Sequence, residues 1–292
     1  MMQMAFHMGA HGTDGDRLLK TLLNNRSWLM ANATEVVPPP KHRGIFDQAL
    51  MALNGGPATE EMQQIMLDAL LELEAPERVV FSSASFLGGT GRIFTSSGLY
   101  PMIGTRTAAL ANLFPQTPTQ FFIAIRNPVT MIAEMVGHRD AAAYRALLNG
   151  ADPVQQRWGD CIRRLVRAAQ GRRVVVWCHE DVPMVWPEVV RLVADMPAEV
   201  PLAGSLLYMH ELLGNQGLAR LRGMLAGHDQ MSIQTRREIY AAALADHAGE
   251  GALDQEITLP GWSQDLVDQV TELYRNDAAE IAVQPGVEFI LP

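Results

Sequence analysis

The sequence predicts an α/β fold: a mostly parallel central sheet covered by helices on both faces, in three layers, with a helical flank toward the C-terminus. Two observations carry this expectation. Short apolar, β-rich runs occur at Met2–Met8, Val79–Ser82, Gln120–Ile125, Val174–Cys178 and Val287–Leu291, each bounded by turn formers or charges. Longer stretches with helical spacing lie between them, and strands that alternate with helices pair in parallel and are buried on both sides.

After the first run, Leu18, Leu19, Leu22, Leu23 and Met30 recur at helical spacing. Pro38-Pro39-Pro40 follows and predicts a stiff linker. Met62, Ile65, Met66, Ala69 and Leu70 mark a second helix, and Cys161, Ile162, Leu165 and Val166 mark another. From about residue 201 to 280 there is no convincing strand, and amphipathic pieces such as Glu238–His247 and Gln264–Tyr274 predict the helical flank. With 292 residues, of which 48% are hydrophobic and 19% charged, the chain buries a sizeable core. One domain over 1–292 is the leading expectation, and two small ones are the alternative.

Net charge excludes one class of partner. At −9, the chain lacks the clustered Lys and Arg whose counterion release drives nucleic-acid binding, so no nucleic acid is expected. The two cysteines, Cys161 and Cys178, form no CxxC pair and no metal-ligand spacing with histidine; no metal is expected. No apolar run reaches the roughly 20 residues that span a bilayer, and the first residues lack a basic-then-apolar leader pattern. A cytoplasmic setting with reduced thiols is therefore expected.

Open parallel sheets bind ligands at the carboxyl ends of their strands, which directs attention to the turns there. The first runs His7-Met8-Gly9-Ala10-His11-Gly12-Thr13-Asp14-Gly15-Asp16-Arg17, from a strand straight into a helix. Its glycines and position suit a cradle of backbone N–H groups facing an anion. Asp14 and Asp16 also read as helix caps, a role in which a carboxylate takes the place a phosphate would use. The second turn is Arg126-Asn127-Pro128, in which Asn127 and Pro128 read as N-cap and first helical residue, a reading that leaves Arg126 without a role. The third is Trp177-Cys178-His179-Glu180-Asp181-Val182-Pro183. His11, His179 and Glu180 are the candidate general bases, while a strand histidine such as His7 reads as a satisfied core residue.

The first turn resembles the opening loop of the sulfotransferase family, His-x-Gly-x-x-Lys-Thr-Gly-Thr-Thr, matching at His7, Gly9 and Thr13. Gly12 stands at the lysine, Asp14 at the glycine, and Gly15 and Asp16 at the two threonines. Arg126-Asn127-Pro128 resembles the Arg-x-Pro of the family's 3′-phosphate turn, with Glu134 where a serine is usual. The segments Tyr274-Arg275-Asn276-Asp277 and Pro285–Ile290 resemble those of bacterial members, and so does the third turn. The resemblance implies a three-layer P-loop-type fold and transfer of a sulfuryl group from 3′-phosphoadenosine 5′-phosphosulfate to a hydroxyl of a small-molecule or glycan acceptor. It places the cofactor on Gly9, Gly12, Thr13, Arg17 and Arg126; whether Arg17 or Lys20, one turn into the helix, substitutes for the missing lysine is left open, since both also read as solvated surface residues. The alternative is a catalytically inactive binding or scaffold protein of the same fold, because the loop has lost its lysine and gained acid.

Overall fold

A computed structural model describes residues 1–137, 141–226, 231–249, 251 and 257–292. Among them the strands are β1 (Gln3–His7), β2 (Thr34–Val37), β3 (Arg78–Ser82), β4 (Phe94–Thr95), β5 (Gly98–Leu99), β6 (Thr119–Ile125), β7 (Arg173–Cys178) and β8 (Val287–Ile290). Six of these form one sheet in the order β2-β3-β1-β6-β7-β8, and every pairing in it is parallel. β4 and β5 make a separate antiparallel pair.

The first helices are α1 (Arg17–Asn24), α2 (Arg26–Ala31), α3 (Pro39–Leu53) and α4 (Glu60–Leu70). Next come α5 (Ile103–Leu113), α6 (Pro128–Val136), α7 (Ala141–Leu148) and α8 (Trp158–Ala169). The chain continues with α9 (Val182–Ala194), α10 (Leu207–Leu225), α11 (Ile233–His247) and α12 (Gln264–Ala282).

Alternation along the strands produces the three layers. In β1, Met4 and Phe6 join one apolar core with Phe81, Phe121, Phe46 and Leu110, under α3, α5, α6 and α8. Ala5 joins the other, with Val80, Phe122, Val175 and Trp177, under α1 and α9. On the first face the Phe6 ring stacks on Phe81 and Phe121 at 5.2 and 5.9 Å, so identical positions on adjacent strands pack as a ladder. The five runs expected as strands are all strands of this sheet.

Three local readings change. Thr34–Val37 is a strand, β2, at the sheet edge; its four residues include Thr34 and Glu35, which hid its apolar character. Both are buried, and the Glu35 carboxylate accepts N–H groups of Glu72 and Leu73 at 2.9 and 3.0 Å. Pro38-Pro39-Pro40 is a helix start, not a linker: Pro38 is the N-cap, and Pro39 and Pro40 occupy the first helical turn, where a missing N–H is harmless. The first long helix divides at Asn25, whose side chain donates to Thr21 O and Ala203 O. The flank is helical as expected, but α10 carries a break: Gly214 has φ +62° and ψ −173°, so helical geometry stops there and resumes.

Candidate functional site

The connection leaving β1 runs to β2 on one side of it, whereas the one leaving β6 runs to β7 on the other side. Between two such strands a crevice opens at their carboxyl ends, which is the usual ligand position in an open parallel sheet. A pocket of about 290 Å³ lies there, lined by Thr13, Arg17, Arg126, Thr130, Glu134, His179, Glu180, Pro183, Tyr208, Glu211 and Leu212. Thr13 and Arg17 follow β1, Arg126 follows β6, and His179 and Glu180 follow β7. Three turns far apart in sequence thus meet in one place.

Arg126 is largely buried. Its Nε donates to Thr130 Oγ1 at 3.0 Å and its Nη1 donates to the carbonyl of Gly12, which ties the second turn to the first. Burial lowers its pKa, against the carboxylates Glu134 and Glu180, which favour the charge. Arg17 is half exposed and forms a two-pronged pair with Glu211, Nε to Oε1 at 2.9 Å and Nη2 to Oε2 at 3.1 Å. Its guanidinium carbon also lies 5.4 Å from the centre of the Tyr208 ring.

His179 packs edge-on against Tyr208 with ring centres 6.3 Å apart. Burial, then the positive charges of Arg126 and Arg17, push its pKa down to about 3, so the imidazole is neutral near pH 7. Its Nδ1 is buried without a hydrogen-bond partner, and so is the Tyr208 hydroxyl. Glu180 is differently placed. Its Oε1 accepts the Asn127 N–H at 2.8 Å and its Oε2 accepts the Tyr274 hydroxyl at 2.6 Å, so both oxygens are engaged in holding the second turn and α12.

The first turn keeps its own carboxylate. Asp14 is buried, and its Oδ2 accepts the N–H of Leu18 at 3.1 Å. Oδ1 receives the Thr13 hydroxyl at 3.3 Å and lies 3.8 Å from His7 Nε2. Burial lowers the His7 pKa, and its Nδ1 shares a hydrogen bond with Ser82 Oγ at 2.8 Å, which makes it a core residue. Asp16 occupies the N-cap position yet makes no side-chain cap bond.

Of the other expected site residues, His11 does not line the pocket. Its N–H donates to the Tyr100 hydroxyl at 2.9 Å and its Nδ1 meets the same oxygen at 3.1 Å. Gly9 has φ +52°, and a Cβ there would lie 2.8 Å from the backbone nitrogen of Ala84, so this position supports the turn by close approach. Gly12 presents its carbonyl to Arg126. Lys20 does not line the pocket.

Tyr208 and Glu211 were not legible in the sequence as site residues. Both lie on α10, nearly 200 residues from the first turn, and no motif marks them; only the docking of that helix brings them to Arg17.

No protein-family model and no curated protein matches the chain. Among solved structures it is similar to the crystal structure of a sulfotransferase from Alicyclobacillus acidocaldarius, at 12% identity and a TM-score of 0.46, with 95% of this chain and 93% of that chain covered. A likeness this distant says nothing about individual residues.

Proposed function

We propose that the pocket at the carboxyl ends of β1, β6 and β7 binds one phosphate or sulfate ester group of a small organic ligand, held by Arg126 and Arg17 in a sulfotransferase-like fold. One observation supports the reading most directly: these two guanidiniums, from separate turns, line a single pocket together with two buried, unpartnered polar groups. An oxyanion would accept from the guanidiniums and from the Tyr208 hydroxyl, and buried polar groups ordinarily have such partners.

The cofactor implied by the resemblance, 3′-phosphoadenosine 5′-phosphosulfate, carries two anionic ends. Arg126 suits one phosphate. The first turn does not suit the phosphosulfate: the Asp14 carboxylate is buried there with the Leu18 N–H, and Gly12 stands where the family loop has its lysine. We therefore derive no sulfuryl step and favour a binding protein. Sulfuryl transfer to a small-molecule or glycan hydroxyl is the second reading, favoured by His179, which lines the pocket with an Nδ1 that has no hydrogen-bond partner, although its lowered pKa makes it a weak base.

Calorimetric titration with adenosine 3′,5′-bisphosphate tests the proposal. Binding is expected with a dissociation constant no tighter than about 0.1 mM, because Glu134, Glu180 and Glu211 line the same pocket. Arg126→Met should weaken it by roughly tenfold or more, the loss of one charged hydrogen-bonding partner. Equal affinity in the variant would overturn the proposal. Micromolar binding, with label passing from the phosphosulfate donor to an added alcohol, would establish the second reading.

A further inference from the structure

A second cavity, of about 50 Å³, lies between α3 and α5 above the short 3₁₀ turn Ala84–Leu87. His42, Phe46, Phe86 and Leu110 form its buried lining, and Arg43, Asp47, Ser85 and Arg106 stand nearer its mouth. It shares no lining residue with the pocket described above.

His42 is the anomaly. It is fully buried, and neither ring nitrogen has a hydrogen-bond partner. Its ring is enclosed by Phe46, Phe81 and Phe86, with centres 5.2, 5.5 and 5.3 Å away, none of which offers a conventional acceptor or donor. A buried polar group left unpaired is unfavourable, and the exceptions in native proteins call for an explanation. The mouth supplies a second observation. Among the described residues neither Arg43 nor Arg106 has a carboxylate within ion-pair distance, and Arg106 makes only a long bond, 3.4 Å, to the Ser85 carbonyl. Two guanidiniums without a direct ion pair therefore flank a small apolar cavity whose buried lining includes an unpaired imidazole.

We infer that this cavity is a binding site for a small monocarboxylate with an apolar body. The enclosed volume has room for a carboxylate-sized head. There one oxygen accepts from the His42 N–H and the other faces the arginines. The apolar body lies along Leu50 and Ala109, the half-buried apolar residues of the lining. Asp47 at the same mouth disfavours a second negative charge, which selects a monoanion over a phosphate or sulfate dianion.

Benzoate, its neutral isostere benzamide and inorganic sulfate are the probes, titrated into the full chain while the His42 ring signals are followed by NMR. Benzoate should shift those signals and bind at least tenfold more tightly than benzamide, and sulfate should leave them in place. Arg43→Met, at an exposed position, and Arg106→Met, at a half-buried one, should each weaken benzoate by fivefold or more with the fold intact. Arg126→Met should change nothing here, so failure of this inference and failure of the proposed ester site are separable. Unmoved His42 signals would overturn the inference. So would equal binding of benzoate and benzamide, affinity indifferent to both arginines, or a crystal soaked in benzoate that shows only water against His42.

Discussion

Arg17 and Glu211 close a two-pronged ion pair across the mouth of the pocket, with N–O distances of 2.9 and 3.1 Å. The carboxylate occupies the face of the guanidinium that an ester anion would need. Both side chains are about two-fifths exposed, and pairs of that kind contribute roughly 0–1 kcal/mol. Glu211 is therefore a weak, built-in competitor.

Glu211→Gln should accordingly leave stability within about 1 kcal/mol of the parent while raising affinity for adenosine 3′,5′-bisphosphate several-fold. Urea melts and calorimetry on the same preparation check both halves. Unchanged or reduced affinity would show that Arg17 takes no part in binding.

Asp14 and Asp16 separate cleanly. Asp14→Ala removes the acceptor of the Leu18 N–H inside a buried turn and should lower stability by about 1–2 kcal/mol. Asp16→Ala removes no side-chain cap bond and should stay within about 0.5 kcal/mol. Equal losses in the two urea melts would contradict the assignment of the cap to Asp14.

Restoring the family loop by Gly12→Lys, Asp14→Gly and Asp16→Thr should fail to create a tight anion site. Gly12 has φ +72°, a left-handed conformation that costs a lysine about 1 kcal/mol or more, and a Cβ there meets Met131 and Met135 at 3.4 Å. The same change deletes the Asp14 cap. The triple variant should melt at lower urea than the parent and bind the bisphosphate no better; a folded variant with micromolar affinity would show that the turn readily takes the cradle shape.

His179 gives stability a pH dependence of known sign. Its folded pKa, about 3, lies below its ordinary 6.5, so the unfolded chain takes up the proton first. The contribution is complete above 6.5 and is lost as pH falls toward 3. His42, held at about 4 by burial and then by Arg43, adds in the same direction. His179→Gln should make the decline between about pH 6 and 5 shallower by about 1 kcal/mol per pH unit. Parallel stability profiles for variant and parent would show that His179 is not held neutral.

The sheet was legible because its central strands carry almost no polar residues: Val174–Cys178 and Phe121–Ile125 can only be buried. β2 was not, since Thr34 and Glu35 look solvated until Glu35 is seen accepting the N–H groups of Glu72 and Leu73. At the pocket, Thr13, Arg17, Arg126, His179 and Glu180 were each readable from a turn following a strand, because parallel topology alone sends those turns to one edge. Their partners were not. That Glu180 spends both oxygens on Asn127 and Tyr274, or that His11 is held by Tyr100, depends on how separate segments dock, which no local spacing encodes.

The break at Gly214 interrupts the dihedrals of α10 without separating its two pieces. Tyr208, Glu211 and Leu212, before it, line the pocket, while Met209 and Leu213, also before it, share one apolar cluster with Leu218 and Leu221 after it and with Tyr240 and Ala243 of α11. The pocket wall is thereby seated on the helical flank, and a change in the packing of α11 is felt where Tyr208 and Glu211 meet Arg17.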